Sequence, residues 1–259
     1  MSELDKVTRA CLAELLLALA DDEFVLGFWD SEWTGIAPIL EEDVAMSSVS
    51  QDEIGHAKAF YELLAGLTGE NADEIAFGRP PEAYRHAALM NHARNDWAFT
   101  IARRYLYETA DALRLESLAG SSHEPLANLA VKMRREETYH LLHFDLWLRR
   151  LAEGGEDSRQ RLSAMLERLW PDAQAVFAPL DGEACLLAAG ILPESLESLR
   201  ARWLERVVPR LEKLGLPVPT AAQRAAKPRT DGRTQRTADF TWLHGEFTTV
   251  SGSEAGATW

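Results

Sequence analysis

The chain has 259 residues, and 46% of them are hydrophobic, which suffices for a large core and is atypical of a disordered protein. Its formal net charge of −14 argues against nucleic acid as a main partner, because phosphate binding requires a basic surface. No run of about 20 apolar residues occurs, so we expect neither a membrane span nor a membrane partner.

Helical periodicity predicts six main helices, because glycine and proline are sparse within long stretches and concentrate between them. The predicted helices cover residues 4–32, 39–68, 82–118, 124–153, 157–178 and 194–214, with a candidate break in the third near Asn91. We therefore predict an all-α fold with a four-helix bundle and additional C-terminal helices. The bundle domain covers residues 1–215, and residues 216–259 form an irregular tail that packs on the body or on a partner.

The tail carries one basic stretch in this acidic chain, formed by Arg224, Lys227, Arg229, Arg233 and Arg236. Two interpretations stay open for it. It is a solvated surface, or it is a contact for an acidic partner or an anionic ligand.

The two cysteines, Cys11 and Cys185, form neither a C-x-x-C motif nor a disulfide framework. The N-terminal apolar run Leu15–Ala20 is short and has acidic residues on both sides, so we expect no signal peptide. Together these features predict a reduced, cytoplasmic setting.

A Glu-x-x-His motif occurs twice, at Glu53–His56 and at Glu137–His140. A lone glutamate precedes each motif at nearly the same distance: Glu23 lies 30 residues before Glu53, and Glu108 lies 29 residues before Glu137. Two halves that each supply one Glu and one Glu-x-x-His are the ligand set of a carboxylate-bridged two-metal site in a four-helix bundle.

Helical spacing places all six of these side chains on apolar stripes, where leucines are expected. The midpoint between Glu23 and Glu53 falls beside the Gly35–Pro38 break, and the midpoint between Glu108 and Glu137 falls in the Gly120–Ser122 turn. In two antiparallel hairpins each lone glutamate therefore faces its partner motif, roughly 20 Å from the turn. If the long crossover over residues 69–82 joins the hairpins, all six side chains reach one level.

Four buried carboxylates would repel one another, and two divalent cations would neutralise them. Two histidines add nitrogen ligands that suit iron, with manganese as the alternative. We expect Asp52 and Glu136, one turn before the histidines, to hold the imidazole rings by hydrogen bonds. No catalytic residue separate from the metal ligands is predicted. The alternative is a helical bundle with acid clusters on its surface, in which each motif is an exposed helical pair.

The segments Gln51–Ala57 and Arg135–His140 resemble the phenylacetic acid catabolic protein family, the A-type and C-type subunits of the bacterial multicomponent phenylacetyl-CoA 1,2-epoxidase. The likeness runs from about Asp21 to Trp170 and is closer to the C-type subunit. The ending Glu254–Trp259 is similar to the C-type terminus, although we expect most of the helix before the final tryptophan to be missing.

The resemblance implies a ferritin-like fold and a cytoplasmic enzyme in which the A-type subunit holds the di-iron centre. The A-type chain adds one atom of dioxygen across the aromatic ring of a CoA thioester, while the C-type chain is a structural partner with a degraded metal site. By the resemblance, the ligand positions of the catalytic type are matched by Glu23, Glu53, His56, Glu108, Glu137 and His140. The chain thus keeps all six ligand residues, whereas the C-type pattern implies that some of them are lost.

Three functions follow from these observations. The first is a C-type subunit that supports an A-type catalytic partner in a heteromer, with self-association as a further option. The second is a catalytic di-iron oxygenase subunit in its own right. The third is iron binding or peroxide scavenging on a ferritin-like bundle.

Overall fold

A computed structural model of the chain describes residues 4–253. Over that range the structure contains ten α-helices and three short 3₁₀ turns, and no β-strand. The helices are α1 (Lys6–Ser31), α2 (Leu40–Thr68), α3 (Ala72–Phe77), α4 (Trp97–Leu118), α5 (Glu124–Glu153), α6 (Glu156–Ala173), α7 (Glu183–Ala188), α8 (Leu196–Lys213), α9 (Ala221–Ala225) and α10 (Ala238–Thr248). The predicted all-α, ferritin-like fold class is confirmed. Among the described helices, none combines the length and the apolar character that a membrane span requires.

Five of the six predicted helices correspond to α1, α2, α5, α6 and α8 with small differences at their ends. The prediction of a helix over residues 82–118 is wrong in its first part, because α4 begins only at Trp97. Asn95 has a φ of 56°, and the side chain of Asp96 accepts a hydrogen bond from the backbone N–H of Phe99 at 2.9 Å. A left-handed residue followed by an Asp cap is a helix start, so the preceding segment cannot continue into α4.

The residues before α4 form two 3₁₀ turns, Pro81–Ala83 and Ala88–Asn91, rather than an α-helix. Many of the apolar side chains in this segment are nevertheless buried, which explains the helix-like pattern in the sequence. The segment is attached to α1 through Trp29, whose indole N–H donates to the carbonyl of Met90 at 2.9 Å.

The described residues form two compact units. The first contains residues 4–12 and 95–232, and the second contains residues 13–94 and 233–253. The division of the chain between residues 215 and 216 stays a prediction. Glu254–Trp259, which carried the resemblance at the C-terminus, lies outside the described residues.

In the first unit, α4 is the central helix and packs against α5, α6 and α8. It is buried around most of its circumference, as expected of a helix with neighbours on several sides. Trp203 of α8 stacks on Trp170 with ring centroids 5.0 Å apart, and its indole N–H donates to Thr109 Oγ1 at 2.9 Å. These contacts hold α4 in a fixed register, which positions Glu108.

In the second unit, an aromatic cluster joins α1, α3 and α10. The ring centroid of Phe24 lies 5.3 Å from that of Phe77 and 5.0 Å from that of Phe247. An 11-residue helix, α10, thus forms in the C-terminal segment and packs into this core, while the comparison of its length with the C-type terminus stays a prediction. The sequence signal was weak because α10 has only 11 residues, although its buried side chains, Phe240, Leu243 and Phe247, have helical spacing.

The basic stretch of the tail is not a uniformly solvated surface. Arg233 is buried and donates to both carboxylate oxygens of Asp22. Arg236 is half-buried and donates to the backbone carbonyl of Tyr84. By contrast, Arg229 is exposed and pairs with Asp231. The solvated interpretation thus fails for Arg233 and Arg236, whose partners lie in this chain.

Candidate metal centre

Three consecutive acidic residues of α1, Asp21, Asp22 and Glu23, are all buried. Asp21 accepts a hydrogen bond from Arg79 Nη1 at 3.0 Å and one from the Tyr61 hydroxyl at 2.5 Å. Burial, and then the negative charge of Asp21, raises the pKa of Tyr61, so the phenol remains a donor. The hydrogen-bond partners of Asp21 thus lie within the second unit. The same holds for Asp22, which pairs with Arg233.

Glu23 belongs instead to a buried triad in the second unit, with Glu53 and His56 of α2. One ligand atom from each of the three side chains lies within 4.8 Å of those of the other two. His56 Nδ1 is 3.8 Å from Glu23 Oε2. This is the pairing that the position of the Gly35–Pro38 break predicts for an α1–α2 hairpin.

A close approach of α1 and α2 places Glu53 in this triad. A Cβ atom at Gly27 would lie 2.9 Å from Ile54 Cγ1 and 3.1 Å from Glu53 Cβ. Such distances are below normal carbon contacts, so the glycine permits the two helices to approach where the ligands lie. Sequence reasoning did not single out Gly27, although it is one helical turn from Glu23.

The first unit contains a second triad of the same composition, formed by Glu108 of α4 with Glu137 and His140 of α5. Here too, one ligand atom from each side chain lies within 4.8 Å of those of the other two. His140 Nδ1 is 3.2 Å from Glu137 Oε1, and all three residues are buried. The Gly120–Ser122 turn centres this hairpin as the sequence predicts.

Each triad offers two carboxylates and one imidazole, a donor set that suits iron or manganese. Because the carboxylates are buried, a cation close to them is needed to offset their charge. The residues of both triads therefore fit a divalent metal ion. The assignment of all six as ligands of one two-metal site stays a prediction.

A cation that the sequence interpretation missed already lies against the triad of the first unit. The guanidinium of Arg104 contacts the carboxylate of Glu108, and both side chains are fully buried. Arg104 also lies over the ring of Phe144, 4.7 Å from its centroid. The signal in the sequence was an Arg and a Glu four residues apart on one helix, a spacing that brings the two side chains onto the same face.

The two acids expected to hold the histidine rings, Asp52 and Glu136, lie on α2 and α5 and are only half-buried. Neither belongs to the groups of close ligand atoms described above. Their role stays a prediction.

A cavity of about 200 Å³ in the first unit reaches Glu137 between α4, α5 and α8. It is lined by Ala112, Glu116, Arg134, Glu137, Thr138, Leu141 and Arg206. The volume admits several water molecules, each of which occupies about 30 Å³ in the liquid. Glu137 therefore borders a space large enough for water, while its carboxylate oxygens are themselves buried.

Comparison with known proteins adds independent information. The family described as "Phenylacetic acid catabolic protein" matches residues 2–259. The C-type subunit of 1,2-phenylacetyl-CoA epoxidase from Escherichia coli (strain K12) is 31% identical over 209 residues, covering 80% of this chain and 84% of the relative. The A-type subunit of the epoxidase from the same organism is 27% identical over 204 residues, covering 77% of this chain and 66% of the relative.

Proposed function

The chain belongs to the phenylacetic acid catabolic protein family, and we propose that it is the C-type subunit of a phenylacetyl-CoA epoxidase in bacterial phenylacetate catabolism. The observation that supports this best is the likeness to the C-type relative, which exceeds that to the A-type relative in identity and in coverage of the relative. In this role the chain supports a catalytic A-type partner in a cytoplasmic heteromer.

The buried ion pair in the first unit favours a supporting role. Arg104 places a permanent positive charge beside Glu108, so part of the negative charge of that triad is offset without a metal ion. A subunit whose core is held in this way keeps its fold whether or not metal is bound. Such independence suits a partner that acts by contact rather than by chemistry.

Co-expression with an A-type partner tests this proposal. We expect the two chains to co-purify in a fixed ratio and the A-type chain to lose epoxidase activity when this chain is omitted. In the complex, Glu137→Ala in this chain is expected to leave the activity near that of the unaltered complex, while loss of a metal ligand in the A-type chain abolishes it. A chain that never pairs with an A-type partner would contradict the proposal.

A second candidate function, catalysis by this chain itself, is favoured by one observation: both triads are complete. We propose for this case that Glu23, Glu53 and His56 hold one metal ion and that Glu108, Glu137 and His140 hold the other. A pair of iron ions in such a site supplies activation of dioxygen. The residues of the chain would supply the ligands, and Arg104 would hold the Glu108 carboxylate in position.

Metal content separates the two candidates. The purified full chain is loaded anaerobically with ferrous iron or manganese, and bound metal is counted before and after gel filtration. Catalysis predicts two tightly bound ions per chain and a change in the optical spectrum on exposure to dioxygen. Trace metal alone contradicts catalysis. Uptake far above two ions per chain would instead support ferritin-like storage, the third function considered.

A further inference from the structure

The two cysteines of the chain face one another in the first unit. Cys11 lies on α1 and Cys185 on α7, 174 residues apart in the sequence, and both are free and half-buried. The two thiols are close enough for Cys185 to raise the pKa of Cys11. One turn before Cys11, the Thr8 Oγ1 atom lies 3.6 Å from Cys185 Sγ.

The backbone around the pair permits this approach. Gly182, one turn before Cys185, has a φ of +89°, and a Cβ atom there would lie 2.9 Å from Cys11 Cβ and closer still to its sulfur. The two helices thus meet through Thr8 and Cys11 on one side and through Gly182 and Cys185 on the other. Because α7 begins directly after Gly182, the side of α7 that meets α1 carries no side chain at this point.

We propose that Cys11 and Cys185 form a redox-active dithiol that a hydroperoxide converts reversibly into an intramolecular disulfide. One thiolate attacks the O–O bond of hydrogen peroxide, forms a sulfenic acid and releases hydroxide, which is protonated to water. The second thiol loses its proton and attacks the sulfenic sulfur, so that the S–S bond forms and a second water leaves. Two electrons and two protons pass from the thiols to the peroxide. A dithiol reductant reverses the change.

The surroundings of Cys11 favour its protonated form. Burial raises the pKa of the Cys11 thiol, and the neighbouring Cys185 raises it further. At neutral pH the Cys11 side chain is therefore held mainly as the protonated thiol.

The disulfide would attach the first turns of α1 to α7. Because the bond joins residues 174 positions apart, it restricts the unfolded chain strongly. We expect the melting temperature to rise by roughly 5–10 °C on oxidation. The same helix α1 continues without a break to Glu23, so the bond anchors the helix that carries one predicted metal ligand.

The test uses the full chain, reduced, freed of reductant and treated with a small excess of hydrogen peroxide. We expect both free thiols to disappear, one peptide pair containing Cys11 and Cys185 to appear in a non-reducing digest, and the melting temperature to rise. Dithiothreitol should reverse all three changes. The variants Cys11→Ser and Cys185→Ser are expected to show neither the joined peptides nor the shift.

Three results would overturn the proposal. The thiols stay free under excess peroxide; they are oxidised to sulfinic acid without a joined peptide; or the only disulfide formed links two copies of the chain. None of these results depends on the metal content or on the A-type partner, so the proposed function is tested separately.

Discussion

The guanidinium of Arg233 donates two parallel hydrogen bonds to the carboxylate of Asp22, each 3.0 Å long, across 211 positions of the sequence. The Asp22 side chain is fully buried, and that of Arg233 is 7% exposed. Asp22 also accepts a hydrogen bond from the backbone N–H of Ala87 at 2.7 Å. A bidentate pair with this geometry ties the start of the C-terminal segment to α1 within the second unit.

Breaking this pair should destabilise the chain strongly. Arg233→Ala removes the guanidinium and leaves the carboxylate of Asp22 buried without that positive charge. We therefore expect the free energy of unfolding to fall by about 3–5 kcal/mol. Urea denaturation followed by circular dichroism measures the change. Arg229→Ala is the matched control, because Arg229 pairs with Asp231 at the surface and its loss should leave the denaturation midpoint unchanged. Equal denaturation midpoints for both variants would show that the buried pair contributes no more to stability than the exposed pair.

The contact between Arg104 and Glu108 predicts a link between stability and metal binding. Arg104→Gln removes the fixed cation, so we expect the metal-free chain to lose about 3–5 kcal/mol of stability. The uncompensated carboxylates should then gain more from a bound divalent ion, and the rise in melting temperature caused by manganese should exceed that of the unaltered chain.

A double-mutant cycle with Glu108→Gln provides the control for this prediction. If the two residues are coupled, the double variant should be less destabilised than the sum of the single variants. Additive effects would contradict a direct interaction between them.

Stability should fall at acidic pH because His86 is held neutral in the folded chain. Burial lowers its pKa well below the usual 6.5; nearby Arg236 and Arg233 lower it further, while its hydrogen bond with Asn91 and the charge of Asp22 oppose the change. Below pH 6.5 the unfolded chain therefore binds a proton that the folded chain does not. The free energy of unfolding should drop through this residue by up to about 1.4 kcal/mol per pH unit.

Denaturation of the unaltered chain and of His86→Gln between pH 7 and pH 5 measures this effect. The difference in stability between the two proteins should shift in favour of the variant as the pH falls. A constant difference across this range would show that His86 takes up its proton equally in both states.

The close approach at Gly27 predicts opposite effects for two glycine substitutions. Gly27→Ala places a methyl group against Ile54 and Glu53, and we expect a loss of about 1–3 kcal/mol together with weaker metal binding. Gly55→Ala, in the interior of α2, meets no atom within 4 Å and should be stabilising by about 0.5–1 kcal/mol. Thermal unfolding with and without manganese compares the two. If both substitutions change the melting temperature and its response to manganese in the same way, the close approach of the helices at Gly27 does not determine metal binding by the triad.

The sequence by itself determined the helices and the faces on which the chemically important residues lie. Steps of three and four residues place Glu53 and His56 on the inner face of α2, and glycine-containing breaks centre the hairpins that bring Glu23 and Glu108 to their partners. These features depend on local periodicity, which is set by the geometry of the helix itself. The segment before α4 shows the limit of this reasoning, because buried apolar residues also occur outside regular helices.

Only the tertiary structure decided which charges compensate one another inside the protein. Asp22 is paired by Arg233 and Asp21 by Arg79, and neither partner can be distinguished in the sequence from a solvated arginine. The meeting of Cys11 with Cys185 is equally invisible, since the two residues are joined by no motif. Such pairs form between distant parts of the chain, and their energy comes from burial and hydrogen bonding that exist only after the chain has folded.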